Sequence, residues 1–326
     1  MGYIRKKYPS RQTNLPLAFL NVAEVIVLYM QREKYMIQDI EPNRLLNEYI
    51  RKTPEKGSCL IFLQSNQVLV QKGAAAEFVP YGILQEWCAC RGEALPDMVY
   101  LFSIGETSYF LTDFPGDFVL WLTKEKKYEW ITMYEMRSRS PKEQVFAAAT
   151  AWHLYVWYRD NRFCGRCGQP LMHSEKLRML KCPDCGNIVF PKIAPAVIVG
   201  VTDGDRILMT KYAGRAYKRY ALVAGFTEIG ETAEQPVTRE VMEETGVRVK
   251  NIRYYKSQPW GFDSNLLLGY FCELDGDATI HMDAEELSVA EWVDYRDIPD
   301  DAEGLSLTRE MMVHFRESRR KLYNLV

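Results

Sequence analysis

Three glutamates in one short stretch of the chain have the spacing of a metal site. Glu240, Glu243 and Glu244 are spaced i, i+3 and i+4, so they share one face if the stretch is helical. Carboxylates this close repel one another when charged. Hard divalent cations such as Mg²⁺ or Mn²⁺ relieve the repulsion, because they prefer oxygen ligands. The pattern predicts a site that polarises a phosphoryl oxygen and activates water, with a solvated acidic helix face as the alternative.

The residues around the glutamates predict the helix that must hold them. Thr232 is a good N-cap, and Gln235 three residues later completes a capping box. Pro236 falls in the first turn, where a missing N–H costs least. Gly246 can adopt the left-handed conformation that ends a helix. We therefore predict a helix that starts after Thr232 and stops at Gly246.

The same stretch has a fixed pattern beyond the glutamates. Residues 225–247 read G-x5-E-x7-R-E-U-x-E-E-x-G-U, where U is aliphatic. This pattern resembles the Nudix box, the signature of enzymes that hydrolyse a nucleoside diphosphate linked to another group. The matching residues are Gly225, Glu231, Arg239, Glu240, Val241, Glu243, Glu244, Gly246 and Val247. The glycines, together with Glu231 and Arg239 at their spacings, favour this interpretation over an acidic surface.

Four cysteines upstream of the box form a second constellation. Cys164 and Cys167 make one C-x2-C pair, and Cys182 and Cys185 make another after fourteen intervening residues. Two pairs at this separation predict a four-thiolate Zn²⁺ site. A closed four-cysteine site has no position for water, so this zinc is predicted to be structural. The alternative is two disulfides in a secreted protein, and nothing else in the chain favours secretion.

The composition and the N-terminal residues limit the classes of protein to which the chain can belong. A chain of 326 residues with a net charge of −2 is long enough for two domains, and it is not basic enough to coat nucleic acid. The apolar run at residues 15–30 follows basic residues, as in a signal peptide. Asn21 and Glu24 interrupt it, and it is short for a membrane span. We predict a soluble cytoplasmic protein without a membrane segment, with Met36 as a candidate natural start.

The remaining patterns predict the elements that position these sites. Short β-type runs are expected at 59–63, 68–71, 98–104, 108–112 and 118–122, with a turn at Ser65-Asn66. Residues 141–160 predict an Ala-rich helix with Pro141 in its first turn. Strands at 196–201 and 207–211 bracket the turn signal Asp203-Gly204. Strands near 252–256 and 266–274 and a final helix at 307–323 follow.

Together these elements predict an α+β protein in five parts. They are an extension of unclear role (1–35), a small N-terminal α/β domain (36–140), a connecting helix (141–160), the zinc ribbon (161–192) and a Nudix α/β/α sandwich (193–326). This order is similar to that of the zinc-ribbon Nudix hydrolases known as NAD(+)/NADH pyrophosphatases. Their mark is Ser-Gln-Pro-Trp-Pro-Phe-Pro, and residues 257–263 here read Ser-Gln-Pro-Trp-Gly-Phe-Asp. Gly261 and Asp263 replace two of the family's prolines.

The resemblance implies a role for individual residues of the metal site. Glu231 and Arg239 are expected to pair and to brace the loop against the helix. The implied metal ligands are Glu240, Glu244, the Ala224 carbonyl and a later acidic residue. That residue is Glu286 by the match of Glu286-Leu287, with Glu285 as the neighbouring possibility. Glu243 is implied as a further ligand or as the base.

The resemblance also implies a pocket for the substrate. The implied pocket residues are Gln258, Pro259, Trp260, Gly261, Phe262, Asp263, Ser264, Asn265, Phe190, Phe226 and Arg137. Trp260 and Phe262 offer faces for flat rings, and Phe190 and Phe226 are further candidates for stacking. Arg139 is the alternative to Arg137. The family is homodimeric, which implies the same assembly here.

The implied reaction is metal-assisted attack of water on one phosphorus of the NAD⁺ or NADH diphosphate, which releases NMN(H) and AMP. ADP-ribose and the NAD cap of RNA 5′ ends are alternative substrates. Basic residues that suit an RNA backbone are Arg159, Arg162, Arg166, Lys176, Arg178, Lys181, Lys211, Arg215, Lys218 and Arg219. A non-catalytic nucleotide sensor is disfavoured by the intact box. A nucleic-acid-binding finger is disfavoured because no basic recognition helix follows Cys185.

Overall fold

The structure, a computed structural model, describes residues 36–73, 75–113, 115–139, 141–214, 219–299 and 304–324. The predicted extension at 1–35, with its apolar run, lies outside these residues, as do Arg215 and Lys218. The strands of the described residues form four sheets. Among these same residues, every helix is too short or too polar to span a bilayer.

The N-terminal elements form two sheets with helices packed on them. In chain order they are β1 (Leu45–Leu46), β2 (Cys59–Ile61), β3 (Leu63–Gln64), β4 (Gln67–Gln71), β5 (Val79–Pro80), α1 (Tyr81–Arg91), β6 (Met98–Ile104), β7 (Thr107–Thr112), α2 (Gly116–Glu125), β8 (Tyr128–Thr132), α3 (Met133–Met136) and α4 (Lys142–Asp160). One sheet has the order β1-β6-β7-β2-β5 and the other β3-β4-β8. The predicted small α/β arrangement is therefore present.

Two predictions in this part need correction. Residues 118–122 were expected to form a strand, but they belong to helix α2, in which Phe118, Val119 and Leu122 are buried. The spacing i, i+1, i+4 of these three residues is that of one helix face, and it overrides their β propensity. The hairpin at Ser65-Asn66 is formed by β3 and β4, with Leu63 opposite Val68, whereas β2 pairs with β7 in the other sheet.

Helix α4 connects the N-terminal sheets to the rest of the chain. It begins one residue later than predicted, because Pro141 is its N-cap and not part of its first turn. Its alanines Ala147, Ala148, Ala149 and Ala151 are all buried. Such small side chains allow neighbouring backbone to approach the helix closely. One of these approaches positions the candidate site described below.

The C-terminal elements form the ribbon and a six-stranded sheet. They are β9 (Met172–His173), β10 (Leu180–Lys181), β11 (Ile188–Val189), β12 (Ala194–Asp203), β13 (Arg206–Tyr212), β14 (Val223–Phe226), α5 (Gln235–Thr245), β15 (Val249–Trp260), β16 (Asn265–Leu274), β17 (Leu287–Asp294) and α6 (Leu307–Asn324). The large sheet has the order β15-β16-β12-β13-β17, and β14 also pairs with β12. Strands β12 and β16 run parallel, and the other pairs are antiparallel.

Alternation along β12 explains why helices cover both faces of this sheet. Val197, Val199 and Val201 join an apolar cluster with residues of α5. Ala196 and Ile198 point the opposite way, into a cluster with residues of α6. Side chains of a strand alternate between faces, so a continuous apolar run buries both of them. The result is the predicted α/β/α sandwich, and the α+β fold class is confirmed.

Candidate active site

The helix that bears the glutamates ends as predicted but begins later. Gly246 has φ 68°, and its N–H donates to the Met242 carbonyl at 2.9 Å. The N-cap is Glu234 rather than Thr232, and α5 begins at Gln235. The Gln235 side chain still accepts a hydrogen bond from the Thr232 N–H at 2.6 Å, which is one half of a capping box. The pattern therefore identified the partners correctly but placed the helix start too early.

Arg239 is the centre of an ion-pair network at the start of this helix. Its Nε and Nη2 donate to the two carboxylate oxygens of Glu231 at 2.7 and 2.9 Å, and Nη2 also donates to the Phe226 carbonyl. Its Nη1 donates to Glu240 at 2.6 Å and to Glu243 at 3.1 Å. The hydrogen bonds from Arg239, together with one from the Glu228 N–H, lower the pKa of Glu231 to about 2. The predicted pairing of Glu231 with Arg239 is confirmed, and it ties the loop after β14 to α5.

The three glutamates of the helix face lie in different environments. Glu244 is buried, with 3% of its surface exposed, whereas the Glu243 side chain is 59% exposed. Burial raises the pKa of Glu240, and the hydrogen bond and charge of Arg239 lower it. The neighbouring charges of Glu243 and Glu286 raise that pKa further. Glu286, in the turn just before β17, therefore contributes to the same electrostatic environment as the box.

A cavity of about 670 Å³ opens beside this network. Its lining residues are Tyr134, Arg137, Ala196, Ile198, Tyr212, Ala221, Ala224, Gly225, Phe226, Glu228, Glu240, Trp260, Asp263, Asn265, Leu267, Glu286, Ser306 and Thr308. The predicted residues Arg137, Ala224, Phe226, Glu240, Trp260, Asp263, Asn265 and Glu286 are among them. Glu286 lines the cavity, whereas its neighbour Glu285 is a described residue outside the lining.

Gly225 allows the helix and the strand to meet at the acidic end of this cavity. A Cβ placed at position 225 would lie 1.9 Å from the Cδ of Glu240. Any side chain there would displace the carboxylate from its position against β14. The first glycine of the box is therefore required by close approach, not by an unusual backbone angle.

Trp260 and Arg137 form the other end of the cavity, with Phe262 packed against Trp260 from outside the lining. Trp260 and Phe262 meet edge to face, with ring centroids 5.0 Å apart. The guanidinium carbon of Arg137 lies 5.0 Å from the Trp260 centroid and 5.9 Å from that of Phe262. The Arg137 Nε is buried and has no hydrogen-bond partner among the described atoms. Asp263 accepts a hydrogen bond from the Trp260 indole N–H at 2.9 Å.

Arg139, the alternative to Arg137, is engaged elsewhere. Its guanidinium pairs with Glu129 at 3.3 Å and donates to the Gly73 carbonyl. It does not line the cavity. The structure therefore favours Arg137 as the arginine of this site.

The prediction that Gln258 lines the pocket is wrong. Its side chain is fully buried, donates to the Leu305 carbonyl at 2.9 Å, and accepts from the Leu307 N–H at 2.7 Å. It also donates to Gln38 at 3.2 Å. These bonds fix the start of α6 and the segment near residue 38 against β15. Gln258 holds the site together without facing it.

Five other predicted pocket residues do not line the cavity. Pro259, Gly261, Phe262, Ser264 and Phe190 are described residues outside its lining. Phe262 contacts the lining through Trp260, and Phe190 lies at the end of the ribbon with 55% of its surface exposed. The chain beyond Trp260 makes a 3₁₀ turn at Gly261–Asp263, in which Phe262 packs against the apolar core and Asp263 lines the cavity.

Several lining residues were not predicted. Tyr134 lies on the short helix α3, and Ser306 and Thr308 lie at the start of α6. They come from elements far apart in sequence, and their residue types carry no pattern. Glu228 is the exception, because it falls inside the matched box.

The four ribbon cysteines converge as predicted. Their sulfur atoms all lie within 4.8 Å of one another, and neighbouring sulfurs are 3.4–3.6 Å apart. The two turns are equivalent: the Gly168 N–H bonds to the Cys164 carbonyl and the Gly186 N–H to the Cys182 carbonyl. Both glycines have positive φ, 77° and 71°. Four thiolates at this separation fit a tetrahedral Zn²⁺ ion.

The acidic end of the cavity also fits a divalent cation. Its donors are oxygen atoms only, from Glu240, Glu286 and the nearby backbone of Ala224, as Mg²⁺ and Mn²⁺ prefer. Gly225 leaves room for the Glu240 carboxylate beside the strand. Among the described residues, the four cysteines are the only group of three or more ligating side chains within 4.8 Å of one another. Arg239 Nη1 donates to both Glu240 and Glu243, so these two carboxylates are held by a cation of the protein itself.

Comparison with known proteins agrees with both parts of this architecture. Residues 192–314 match the NUDIX domain family, and residues 159–190 match the NADH pyrophosphatase zinc ribbon domain. The NAD-capped RNA hydrolase NudC of Klebsiella pneumoniae subsp. pneumoniae is 34% identical over 60% of this chain and 76% of its own length. The NudC protein of Chromobacterium violaceum is 33% identical over 78% of this chain and 88% of its own length.

The fold, the box and the ribbon define a Nudix hydrolase with a structural zinc site. The chain belongs to the zinc-ribbon Nudix family that includes these NudC proteins.

Proposed function

We propose that this protein hydrolyses the diphosphate bond of NAD⁺ or NADH and releases AMP and the nicotinamide mononucleotide. One observation carries the proposal: a single cavity has carboxylates at one end and a ring-binding group at the other. Glu240 and Glu286 line the first end, and Arg137 and Trp260 line the second. A dinucleotide has the matching chemistry, because a charged diphosphate lies between two flat ring systems.

The acidic end is proposed to perform the chemistry. Glu240, Glu244, Glu286 and the Ala224 carbonyl would hold Mg²⁺ or Mn²⁺, with Glu243 as a further ligand or the base. Bound there, a divalent cation polarises the phosphoryl oxygen and lowers the pKa of the attacking water. Arg239 keeps the helix and the loop in register by holding Glu231.

The residues at the other end are proposed to orient the nicotinamide half of the substrate. Base–aromatic stacking contributes about 1–3 kcal/mol per ring. Arg137 lies over the Trp260 ring and lines the cavity, so its guanidinium places a positive charge where a phosphate or ribose oxygen could accept from it. Phe226, which is 53% exposed and lines the cavity, offers a second stacking surface near the carboxylates.

Removal of the NAD cap from RNA is the second candidate function, because the similar NudC proteins carry that name. Exposed basic residues of the ribbon are available to an RNA backbone at Arg162, Arg166, Lys176 and Lys181. Arg178 is not, because it is largely buried and bonded to Asn47. Arg159 pairs with Asp160 at 2.7 Å.

The proposal extends to the oligomeric state, the cellular compartment and the domain boundaries. Five large apolar side chains on or beside the ribbon expose between 46% and 62% of their surfaces, as expected of an interface between two copies. They are Phe163, Met172, Leu177, Ile188 and Phe190. Cysteines that bind zinc instead of forming disulfides are typical of a reducing compartment, which favours the cytoplasm. We retain the predicted domains at 36–140, 141–160, 161–192 and 193–326. Light scattering of the purified protein tests the homodimer: a mass of one chain contradicts it.

One experiment tests the function directly. NADH, NAD⁺, ADP-ribose and an NAD-capped RNA oligomer are assayed side by side with Mg²⁺ and with Mn²⁺, and the products are identified by chromatography. The proposal expects AMP and nicotinamide mononucleotide from at least one free dinucleotide, with a higher kcat/KM than for ADP-ribose. Faster cleavage of ADP-ribose would replace the proposal with a general diphosphatase acting on ADP derivatives. Cleavage of the capped RNA alone would establish the second candidate.

A further inference from the structure

We propose that Asp263 makes this site selective for the oxidised dinucleotide, whose nicotinamide ring carries a positive charge, over the reduced one. The inference rests on the proposed function, since it concerns which form of NAD the same cavity prefers. It concerns Asp263, a charged residue that lines the cavity directly after Trp260, Gly261 and Phe262.

The position of the carboxylate carries the argument. Asp263 lines the cavity, and its Oδ2 accepts the Trp260 indole N–H at 2.9 Å. The carboxylate is therefore fixed at the edge of the indole ring. Stacked rings have centroids about 4.5–7 Å apart, so a flat ring on Trp260 would lie close enough to interact with that negative charge.

The two forms of the substrate differ in the charge of that ring. The nicotinamide of NAD⁺ is a pyridinium cation, and the dihydronicotinamide of NADH is neutral. A cationic ring is attracted by the indole face and by the neighbouring carboxylate, whereas a neutral ring is stabilised only by stacking. Arg137, 5.0 Å from the same indole, opposes a second cation, so the Asp263 charge also offsets that repulsion.

The backbone around Asp263 makes this placement rigid. Gly261 is held against α4, because a Cβ at position 261 would lie 2.2 Å from the Ala149 carbonyl oxygen. Ser264 follows in the left-handed conformation with φ 60°. The 3₁₀ turn between these residues therefore has little freedom to withdraw the carboxylate from Trp260.

The test is Asp263→Asn, which removes the charge but keeps an oxygen able to accept the indole N–H. The ratio of kcat/KM for NAD⁺ to that for NADH is expected to fall about five- to tenfold, through KM, and the difference from the parent is expected to shrink at high ionic strength. Glu228→Gln is the matched control, because it removes one charge from another wall of the cavity; its ratio is expected to stay within about twofold of the parent.

Binding without turnover separates this inference from the proposed function. The ratio of Kd for NADH to Kd for NAD⁺ is measured by calorimetry in EDTA for the parent and both variants. A parental preference for NAD⁺ that Asp263→Asn reduces in binding supports the inference even if neither dinucleotide is hydrolysed, an outcome that would reject only the proposed function. An unchanged ratio in Asp263→Asn overturns the inference, and so does an equal change in Glu228→Gln.

Discussion

Gly261 and Ala149 touch through their backbones: a Cβ built on Gly261 would lie 2.2 Å from the Ala149 carbonyl oxygen. This contact joins the turn after Trp260 to helix α4, and it explains why glycine stands where the family segment has proline. The buried alanines of α4 make the approach possible.

Gly261→Ala is therefore expected to destabilise the protein by about 1–3 kcal/mol, because the added methyl overpacks a backbone contact. KM for the dinucleotide should rise as Trp260 moves. Gly116→Ala is the control, since a Cβ at Gly116 meets nothing within 4 Å. Urea denaturation measures both variants, and equal stability of the two would contradict the packing argument.

Glu244→Gln is expected to lower turnover with Mg²⁺ or Mn²⁺ by about 10²-fold or more while the protein remains folded. The change keeps the shape of a buried side chain and removes its charge. Glu234→Gln on the exposed N-cap of α5 is the matched control, with near-parental activity expected. Both kcat on NADH and the thermal midpoint of unfolding are measured. Parental activity in Glu244→Gln would show that this residue has no catalytic role.

Glu231→Gln is expected to lower the free energy of unfolding at neutral pH. The folded pKa of Glu231, about 2, lies below its ordinary value of 4.5, so its pairing with Arg239 stabilises the protein above that value. This stabilisation is lost as the pH falls from about 4.5 towards 2. The stability difference between parent and variant should therefore shrink over this window, as measured by denaturation at pH 7 and pH 3. Glu106→Gln, at an exposed turn, should show no such trend.

Cys182→Ser is expected to release zinc and to lower the thermal midpoint, because metal binding at a four-thiolate site is coupled to folding. Cys182 is fully buried at the meeting point of the two turns. Cys90→Ser, at an exposed cysteine on α1, should keep the parental zinc content. Elemental analysis measures zinc per chain. Less than one zinc per chain in the reduced parent would contradict the site itself.

Trp260→Ala is expected to raise KM for NADH by about ten- to a hundredfold, with a smaller penalty on ADP-ribose, which lacks nicotinamide. The change removes the indole face and the N–H that fixes Asp263. Tyr254→Ala, an exposed aromatic on the same strand, controls for general damage to β15. An equal rise in KM for NADH and for ADP-ribose would show that the nicotinamide does not stack on Trp260.

Local spacing made much of this molecule predictable. The box, the two cysteine pairs and the stop at Gly246 are all short patterns in which a few residues dictate the backbone or the shared face. The turn signal Asp203-Gly204 likewise placed the strands on either side of it, β12 and β13. For the same reason the predicted Glu231–Arg239 pair is present: both partners lie within one motif.

Only the tertiary structure decided which side chains face the cavity. Gln258 belongs to the matched family segment, yet its side-chain amide is hydrogen-bonded to the backbone of residues 305 and 307 and does not face the cavity. Tyr134 and Arg137 come from the N-terminal part and reach the cavity through packing that no local pattern encodes, with Arg137 over the Trp260 ring. The charge of Asp263 could be read from the chain, but its hydrogen bond to the indole could not. The spacing of residues in the sequence determines which side chains are neighbours on one helix or strand. Which side chains meet across different elements depends on tertiary packing, here on the contact between α4 and the 3₁₀ turn.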